Sequence, residues 1–216
     1  MRFAGWVAGV VVLVGCSMAG LAEAKIPCSQ SLDHALQSRA VLTIASRPAG
    51  LEIVGTDQDA IHVSCTAGSE ENARDVSFRF SATANGGKLS IEGAHMEHGN
   101  NGIQVKIEIP RRTSVRVRMF AGEVRLEEVK GDKDIEIGAG QITISSIHEG
   151  DYRSVDASVY AGEVKASAFG ADKGGLFRSF KRENSSGDYR LHAHVTTGEV
   201  DLLGNAGEKG DVAKPD

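Results

Sequence analysis

Two pairs of histidines are spaced like metal ligands. His192 and His194 flank a single residue, so on a strand both imidazoles point to the same side and suit zinc chelation. His95 and His98 lie beside Gly99-Asn100-Asn101-Gly102, which is a loop signal. Zinc needs further ligands, and no cysteine or paired carboxylate stands at a matching spacing. The sequence therefore favours strand and loop histidines, and we assign no metal site.

Acidic residues recur directly after glycines of a repeated motif. They are Glu123, Glu163 and Glu199, and Gln141 takes the same place in the fourth copy. If the copies stack in register, these side chains form a column with a spacing of about 4.8 Å, where like charges repel unless they are screened or bridged by a cation. Calcium prefers such oxygen ligands, but the glycine-aspartate nonapeptide of calcium-binding β-rolls is absent. The column is therefore interpreted as a solvated corner.

A basic strip is the densest charge feature. It consists of Arg111, Arg112, Arg116, Arg118 and Arg125, and a second basic group consists of Arg178, Lys181 and Arg182. Arg116 and Arg118 alternate with apolar residues and share the outer face of one strand, where they could engage an acidic polysaccharide, lipid head groups or carboxylates of a partner. Glu123, Glu127 and Glu128 could equally neutralise them. We keep the strip as a candidate anionic-partner surface.

Signatures of catalysis are missing from the sequence. It has no nucleophile elbow, phosphate loop or metalloprotease motif. Asp132, Asp134, Asp151 and Asp172 are scattered over predicted turns. Apart from Trp6 in the N-terminal segment there is no tryptophan, so the usual sugar-stacking platform is also missing. We predict a protein without catalytic residues or cofactor. A weak polysaccharide-processing β-helix enzyme is the alternative.

One pattern returns four times in the second half of the chain. An apolar residue stands three positions before a glycine, and apolar residues stand two and four positions after it. The copies are Met119–Leu126, Ile137–Ile144, Val159–Ala166 and Val195–Leu202, with key glycines Gly122, Gly140, Gly162 and Gly198 that lie 18, 22 and 36 residues apart. Period-two alternation indicates strands, and each glycine suits a corner with positive φ. Such units bury their apolar faces by stacking.

The same alternation continues upstream with less regular spacing, as in Ile103–Pro110. Over residues 40–203, a period near 20 residues predicts a β-solenoid of short stacked strands with glycine corners. A two-sheet β-sandwich is the alternative. We predict an N-terminal cap segment over 25–39, with a short helix at Ser31–Ser38, and a flexible tail over 204–216.

These residues resemble a known family. Gln104–Pro110, then Ser114–Val117, then the repeated (Ala/Thr)-Gly-(Glu/Gln)-(Val/Ile) units are similar to the bacterial "putative adhesin" family of β-strand-repeat proteins of unknown function. The resemblance covers about residues 40–203 and implies a β-helix-like fold at the cell envelope or surface. It departs at Phe169–Ser186, where Gly174-Gly175 and a basic stretch predict a turn that bulges outward. No site residue is carried over from the family.

The first segment of the chain resembles an export signal. Phe3 to Ala22 contains no charged residue, and Ala22-Glu23-Ala24 matches the small-x-small pattern of signal peptidase sites. We predict a cleaved signal peptide over 1–24. Two alternatives are a lipoprotein signal that ends before Cys16, which would then carry the lipid, and an uncleaved anchor of about 20 residues.

Export also bears on the cysteines. Cleavage before Lys25 leaves Cys28 and Cys65, and an oxidising compartment favours a disulfide between them. Such a bridge would hold down the new N-terminus, and it would add about 3 to 4 kcal/mol of stability.

Composition limits the functional classes that fit. The 216 residues include 24 Lys+Arg, 29 Asp+Glu and 26 Gly, for a net charge of -5. Glycine is too irregularly placed for collagen, the apolar content is too high for disorder, and the charge gives no attraction to nucleic acid.

We therefore predict an exported structural or interaction module that is periplasmic, outer-membrane-associated or secreted. Its partner is a protein or polysaccharide of the cell surface or envelope, and the mature chain has no membrane span. A sensor or accessory subunit of an envelope-stress system is the alternative within binding proteins.

Overall fold

A computed structural model describes residues 25–47, 49–93 and 102–204. The predicted signal segment with Cys16, the histidines His95 and His98, and the predicted tail beyond Gly204 lie outside the described residues. Within them, the elements are β1 Ile26–Pro27, β2 Leu32–Ala35, β3 Val41–Ser46, β4 Ala49–Thr56, β5 Ala60–Thr66, α1 Glu70–Asp75, β6 Ser77–Thr83, β7 Gly86–Glu92, β8 Gln104–Pro110, β9 Ser114–Glu127, β10 Lys133–Ile147, β11 Tyr152–Ala166, β12 Ala171–Glu183 and β13 Tyr189–Gly204, with 3-10 turns at Glu149–Asp151 and Ser167–Phe169. The predicted all-β class is confirmed.

The four copies of the repeat form the long strands β9, β10, β11 and β13, which pair in parallel. Gly140 pairs with Gly122 on one side and Gly198 on the other, and Gly198 pairs with Gly162. We call this row the glycine line. Its spatial order is β9, β10, β13, β11, so the last copy in the chain lies between the second and the third. β12 pairs antiparallel with β11 and replaces the predicted outward bulge.

The glycine line is where each long strand changes direction. Gly140 has a φ of 128°, and a Cβ there would lie 1.8 Å from the carbonyl oxygen of Gly122. Ile137 before the corner and Ile142 after it are both buried, although their odd spacing would put them on opposite faces of a straight strand. The glycine therefore lets both halves of the strand turn their apolar side to the same core.

The strands that precede β9 in the chain extend the sheet beside both halves of the long strands. β3 pairs with Ser114–Met119 and β4 pairs with Gly122–Glu127, so together they lie along β9 like a further unit. β7 then continues from β3, and β8 and β5 continue from β4. The first and second halves of the long strands thus belong to two wide, connected regions of one sheet.

The predicted solenoid is not confirmed. The thirteen strands found in the described residues join one open sheet, and β13 stands between β10 and β11, whereas each unit of a solenoid lies on the preceding one. All units carry the same glycine corner and the same apolar positions. Their strands can therefore pair in register even when the units are not consecutive in the chain. The alternative of a two-sheet sandwich is compatible with a sheet folded along the glycine line.

The core is a single cluster of apolar side chains from both halves. The strand positions predicted to be internal are buried: Val117, Val124, Leu126, Ile135, Ile137, Ile142, Ile144, Val159, Val164, Val195 and Val200. Lys133 is also enclosed, with 2% of its surface exposed. Its ammonium donates hydrogen bonds to the Tyr152 hydroxyl at 2.5 Å and to the Gly131 carbonyl at 3.1 Å.

The N-terminal segment forms strands. The predicted helix over Ser31–Ser38 is wrong, because Leu32–Ala35 pairs antiparallel with β5. Leu32 and Leu36 are both buried, and a spacing of four residues fits a strand as well as a helix. The helix that does form, α1, begins after Ser69, whose hydroxyl accepts a hydrogen bond from the Asn72 amide at 3.2 Å.

A disulfide joins Cys28 to Cys65, with the Cα atoms 5.2 Å apart. It ties the turn after β1 to β5. In the part of the chain that the structure describes, no helix has the length and apolarity needed to cross a membrane.

Candidate functional site

The side of the long strands turned away from the core carries ordered rows of side chains. We call this surface, on the strand halves that precede the glycine line and on the adjoining β12, the outer face. Because the strands are in register and side chains alternate, residues that pair across strands line up on it. Three consecutive rows combine charged, polar and aromatic groups.

The first row is a ladder of alternating charge. From β9 to β12 it runs Arg116, Asp134, His192, Asp156 and Lys181, each residue paired in register with the next. Arg116 Nε lies 2.9 Å from an Asp134 oxygen, and Lys181 Nζ lies 3.1 Å from an Asp156 oxygen. Opposite charges on neighbouring strands stabilise the sheet and fix each other's positions.

The second row consists of Arg118, Glu136, His194 and Ser158. Arg118 Nη2 donates to both carboxylate oxygens of Asp134 at 2.9 Å and lies 3.2 Å from Glu136. Partial burial opposes ionisation of Asp134, but the hydrogen bonds from Arg118 and Arg116 outweigh it and hold the pKa of Asp134 below its usual value. His194 Nδ1 and Ser158 Oγ are 2.9 Å apart.

The two rows carry no net formal charge when their histidines are neutral. Their cations are Arg116, Arg118 and Lys181, and their anions are Asp134, Glu136 and Asp156. The face therefore offers both donors and acceptors but exerts little long-range attraction on a charged ligand.

The third row is aromatic and borders the glycine line. By register it runs Phe120, Gly138, Thr196, Tyr160 and Phe177. Phe120 is 76% exposed, Phe177 68% and Tyr160 52%. Leu176 beside them is 61% exposed, so four of the six exposed large hydrophobic residues in the described part of the chain lie here. We call this row the aromatic row.

A shallow cavity of about 450 Å³ opens between the second and third rows. Arg118, Phe120, Glu136, Gly138, His194 and Thr196 line it. A Cβ on Gly138 would lie 2.5 Å from the Phe120 carbonyl oxygen, so only a glycine fits at this point of the cavity floor. We call this cavity the trough.

One group of three potential metal ligands lies on the same face. Within the described ranges, atoms of Asp134, Glu136 and His192 lie within 4.8 Å of one another. His192 is therefore grouped with two carboxylates and not with His194, the pairing that the sequence spacing suggested and that we did not assign as a site. Both carboxylates already contact Arg118. A cation would have to displace a guanidinium that is held by two carboxylates, which argues against a metal site.

The pair of Ser158 and His194 has the spacing of a nucleophile and its base. Acyl transfer also requires hydrogen-bond donors aimed at a developing oxyanion. Both residues lie on internal strands whose neighbours pair on each side, so the surrounding amide groups are committed to the sheet. The geometry lacks the electrostatic part of a hydrolase site.

The acidic column lies on the second halves of the strands, in the spatial order Glu123, Gln141, Glu199, Glu163. Arg125 lies 2.6 Å from Glu123, and Lys165 contacts both Glu163 and Glu199. The hydrogen bond from Lys165 lowers the pKa of Glu199. Arg125 and Lys165, each two residues further along its strand, therefore contact all three carboxylates of the column.

The structure distributes the five arginines of the predicted anionic-partner surface over three places. Arg116 and Arg118 lie on the outer face, and Arg125 lies beyond the glycine line. Arg111 and Arg112 line a polar cavity of about 510 Å³ at the strand ends, where Arg111 also contacts Asp57 and Glu128. Four of the five thus have carboxylate partners, and an anion would have to compete with these.

Sequence reasoning missed the exposed aromatic residues. Phe120 and Tyr160 both stand two positions before a repeat glycine, next to the buried Met119 and Val159. Alternation places that position on the outer face. The repeat therefore contained the signal, although the partnership of Tyr160 with Phe177 depends on the pairing of β11 with β12.

Comparison with known proteins supports the fold alone. No protein-family model and no curated protein sequence matches this chain. The crystal structure of a "putative cell adhesion protein" from Clostridium sporogenes is similar with a TM-score of 0.51 at 12% identity, covering 82% of this chain and 99% of that one. The resemblance to the "putative adhesin" family therefore remains a prediction.

Two further structures are more distant. A "putative adhesin" from Bacteroides fragilis has a TM-score of 0.35 at 8% identity and covers 82% of this chain and 95% of its own. A "putative lipid binding protein" from Parabacteroides distasonis has a TM-score of 0.23 at 9% identity, with coverages of 79% and 96%. We draw no argument from these two.

Proposed function

We propose that the protein is an exported envelope or surface module that binds another surface component through the outer face and has no catalytic activity. The observation that carries this proposal is the aromatic row with its neighbour Leu176. Phe120 at one end of the row, and Tyr160, Phe177 and Leu176 at the other, are each more than half exposed. Exposed large apolar side chains concentrated on one face beside polar groups are typical of a binding surface.

The construction of the outer face supports a binding role. Its charged side chains contact one another across two strand pairs, β9 with β10 and β11 with β12. A partner would therefore meet a surface that is ordered before binding, which lowers the entropic cost of association.

Export is supported by two features of the chain. The uncharged N-terminal stretch resembles a signal peptide, and disulfides such as Cys28–Cys65 persist mainly in oxidising compartments. A protein of similar fold is described as a "putative cell adhesion protein", which favours attachment over sensing as the role of the interaction.

Site-specific photo-crosslinking in intact cells tests the proposal. A photoreactive residue at Thr196, which is exposed on the aromatic row, should capture an envelope or surface component. The same residue at Thr66, which is exposed on β5 away from the outer face, is the matched control. Equal capture at both positions, or none at Thr196, would contradict the proposal.

Deletion of the gene separates attachment from sensing. Altered attachment with unchanged transcription supports the display role, and altered transcription of envelope genes with normal attachment supports the sensor. Steady release of reducing ends from polysaccharides by the purified protein would refute the absence of catalysis.

A further inference from the structure

One residue of the aromatic row has a strained backbone. Phe177 has a φ of 52°, a conformation that a bulky residue adopts only when its surroundings impose it. Its ring packs against Tyr160 edge to face, with centroids 4.4 Å apart. The pair forms a fixed aromatic wall on one side of the outer face, although both rings remain exposed.

Phe120 stands at the other side of the same row. Strands β10 and β13 separate its strand from that of Tyr160, which amounts to three strand spacings or about 14 Å. Between them the row contains only Gly138 and Thr196. The result is a flat, narrow bed with an aromatic ring at each end and the trough along its side.

The bed does not suit an added β-strand. Binding by strand addition requires a free sheet edge. The strands under the bed, β9, β10, β13 and β11, each have neighbours on both sides, and the edge strand β12 lies beyond Tyr160. A ligand here must therefore be recognised by side chains. Aromatic rings would contact apolar faces of the ligand, and polar groups of the second row would meet its hydroxyl or amide groups.

The charge of the outer face distinguishes neutral from anionic ligands that contain flat rings. The first two rows carry three cations and three anions, and Arg118 is held by Asp134 and Glu136. An anionic polymer gains nothing from such a face and must compete with carboxylates for each guanidinium. A neutral, hydroxyl-rich chain can instead donate to Glu136 and accept from Arg118 without disturbing their pairing.

We propose that the aromatic row and the trough form a binding site for a neutral glycan, whose sugar rings stack on Phe120 and Tyr160 and whose hydroxyl groups bind Arg118, Glu136 and His194. This inference rests on the proposed function and names the ligand class for the same face.

Calorimetric titration with defined oligosaccharides tests the site on the mature chain. The neutral probes are cellohexaose, maltohexaose and N-acetylchitohexaose, and the anionic probe is hexagalacturonate. At least one neutral probe should bind and hexagalacturonate should not. Phe120→Ala and Tyr160→Ala should each weaken binding about tenfold, because each removes one stacking contact.

Matched variants separate the site from general effects. Thr196→Arg should abolish binding by filling the bed, whereas Thr66→Arg should not change it. Leu203→Ala removes an exposed hydrophobic side chain outside the aromatic row and controls for Phe120→Ala. Unchanged melting temperatures show that each variant is folded.

Two results would overturn the inference. One is the absence of binding to all three neutral probes, and the other is binding that Phe120→Ala, Tyr160→Ala and Thr196→Arg leave intact. If crosslinking from Thr196 captures a protein while no neutral glycan binds, the glycan inference fails and the proposed binding function stands. If neither occurs, both fail.

Discussion

Replacing Lys133 should stabilise the protein at neutral pH. Lys133 starts β10 within the core, and burial lowers the pKa of its ammonium from 10.5 to about 7, although the charges of Asp132 and Asp151 oppose the change. In the unfolded chain the same lysine is solvated and keeps its ordinary pKa. The folded state therefore holds this proton less tightly than the unfolded state.

The size of the effect follows from the two pKa values. One pKa unit corresponds to about 1.4 kcal/mol, so a change from 10.5 to about 7 destabilises the fold by roughly 5 kcal/mol well below pH 7. Between pH 7 and 10.5 the unfolded state binds more protons. Stability should therefore rise with pH in this window, by at most about 1.4 kcal/mol per pH unit.

Urea unfolding of Lys133→Met at one-unit steps from pH 6 to pH 10 measures this effect. The variant should be more stable than the wild type at pH 6 to 7, and the difference should shrink as the pH rises. The substitution leaves the Tyr152 hydroxyl without its donor. The double variant Lys133→Met with Tyr152→Phe therefore removes both the donor and the acceptor of this hydrogen bond. The exposed Lys88→Met is the control.

The pH dependence of the stability difference between variant and wild type tests this reasoning. A stability difference between variant and wild type that stays constant from pH 6 to pH 10 would refute the reasoning. So would an equal change in Lys88→Met, which replaces a lysine that is exposed rather than buried.

Three further predictions follow from the corners, the disulfide and the N-terminus. Gly140→Ala should cost at least about 3 kcal/mol of unfolding free energy, because the added Cβ would meet backbone atoms at a positive φ. Gly150→Ala, whose Cβ would have no atom within 4 Å, should be near neutral in the same urea titration. Equal effects of the two substitutions would contradict the corner assignment. Replacing Cys28 and Cys65 together by serine should remove about 3 to 4 kcal/mol, seen as a lower urea midpoint, and an unchanged midpoint would show that the bridge does not stabilise the fold. Mass spectrometry of the native N-terminus should find Lys25 first, whereas a lipid mass on Cys16 would establish the lipoprotein alternative.

Much of the strand pattern could be predicted from alternation and glycine. Ile135, Ile137, Ile142 and Ile144 are buried as the pattern indicates, with Gly140 between the two pairs. These features depend on neighbours along the chain, since side chains alternate within one strand and a corner needs a local conformation that glycine favours. Leu32 and Leu36 show the limit, because their spacing fitted two kinds of element.

The candidate site depended on contacts between distant parts of the chain. Arg118 and Asp134 could be read as separate charges until β9 and β10 paired, and Tyr160 and Phe177 meet only because β12 returns beside β11. The sequence indicated Glu123 and Glu128 as possible partners of the basic strip, and they do contact Arg125 and Arg111. The pairing of Arg116 and Arg118 with Asp134 depended on the position of β10 beside β9.

The sequence by itself determined the repeating unit, its glycine corners and the side chains that each strand buries. Only the tertiary structure decided the order of the units, with β13 between β10 and β11. The physical reason is that parallel, in-register pairing satisfies the same apolar positions and the same glycine corners whichever copies are neighbours. That order in turn created the neutral rows and the aromatic bed of the outer face.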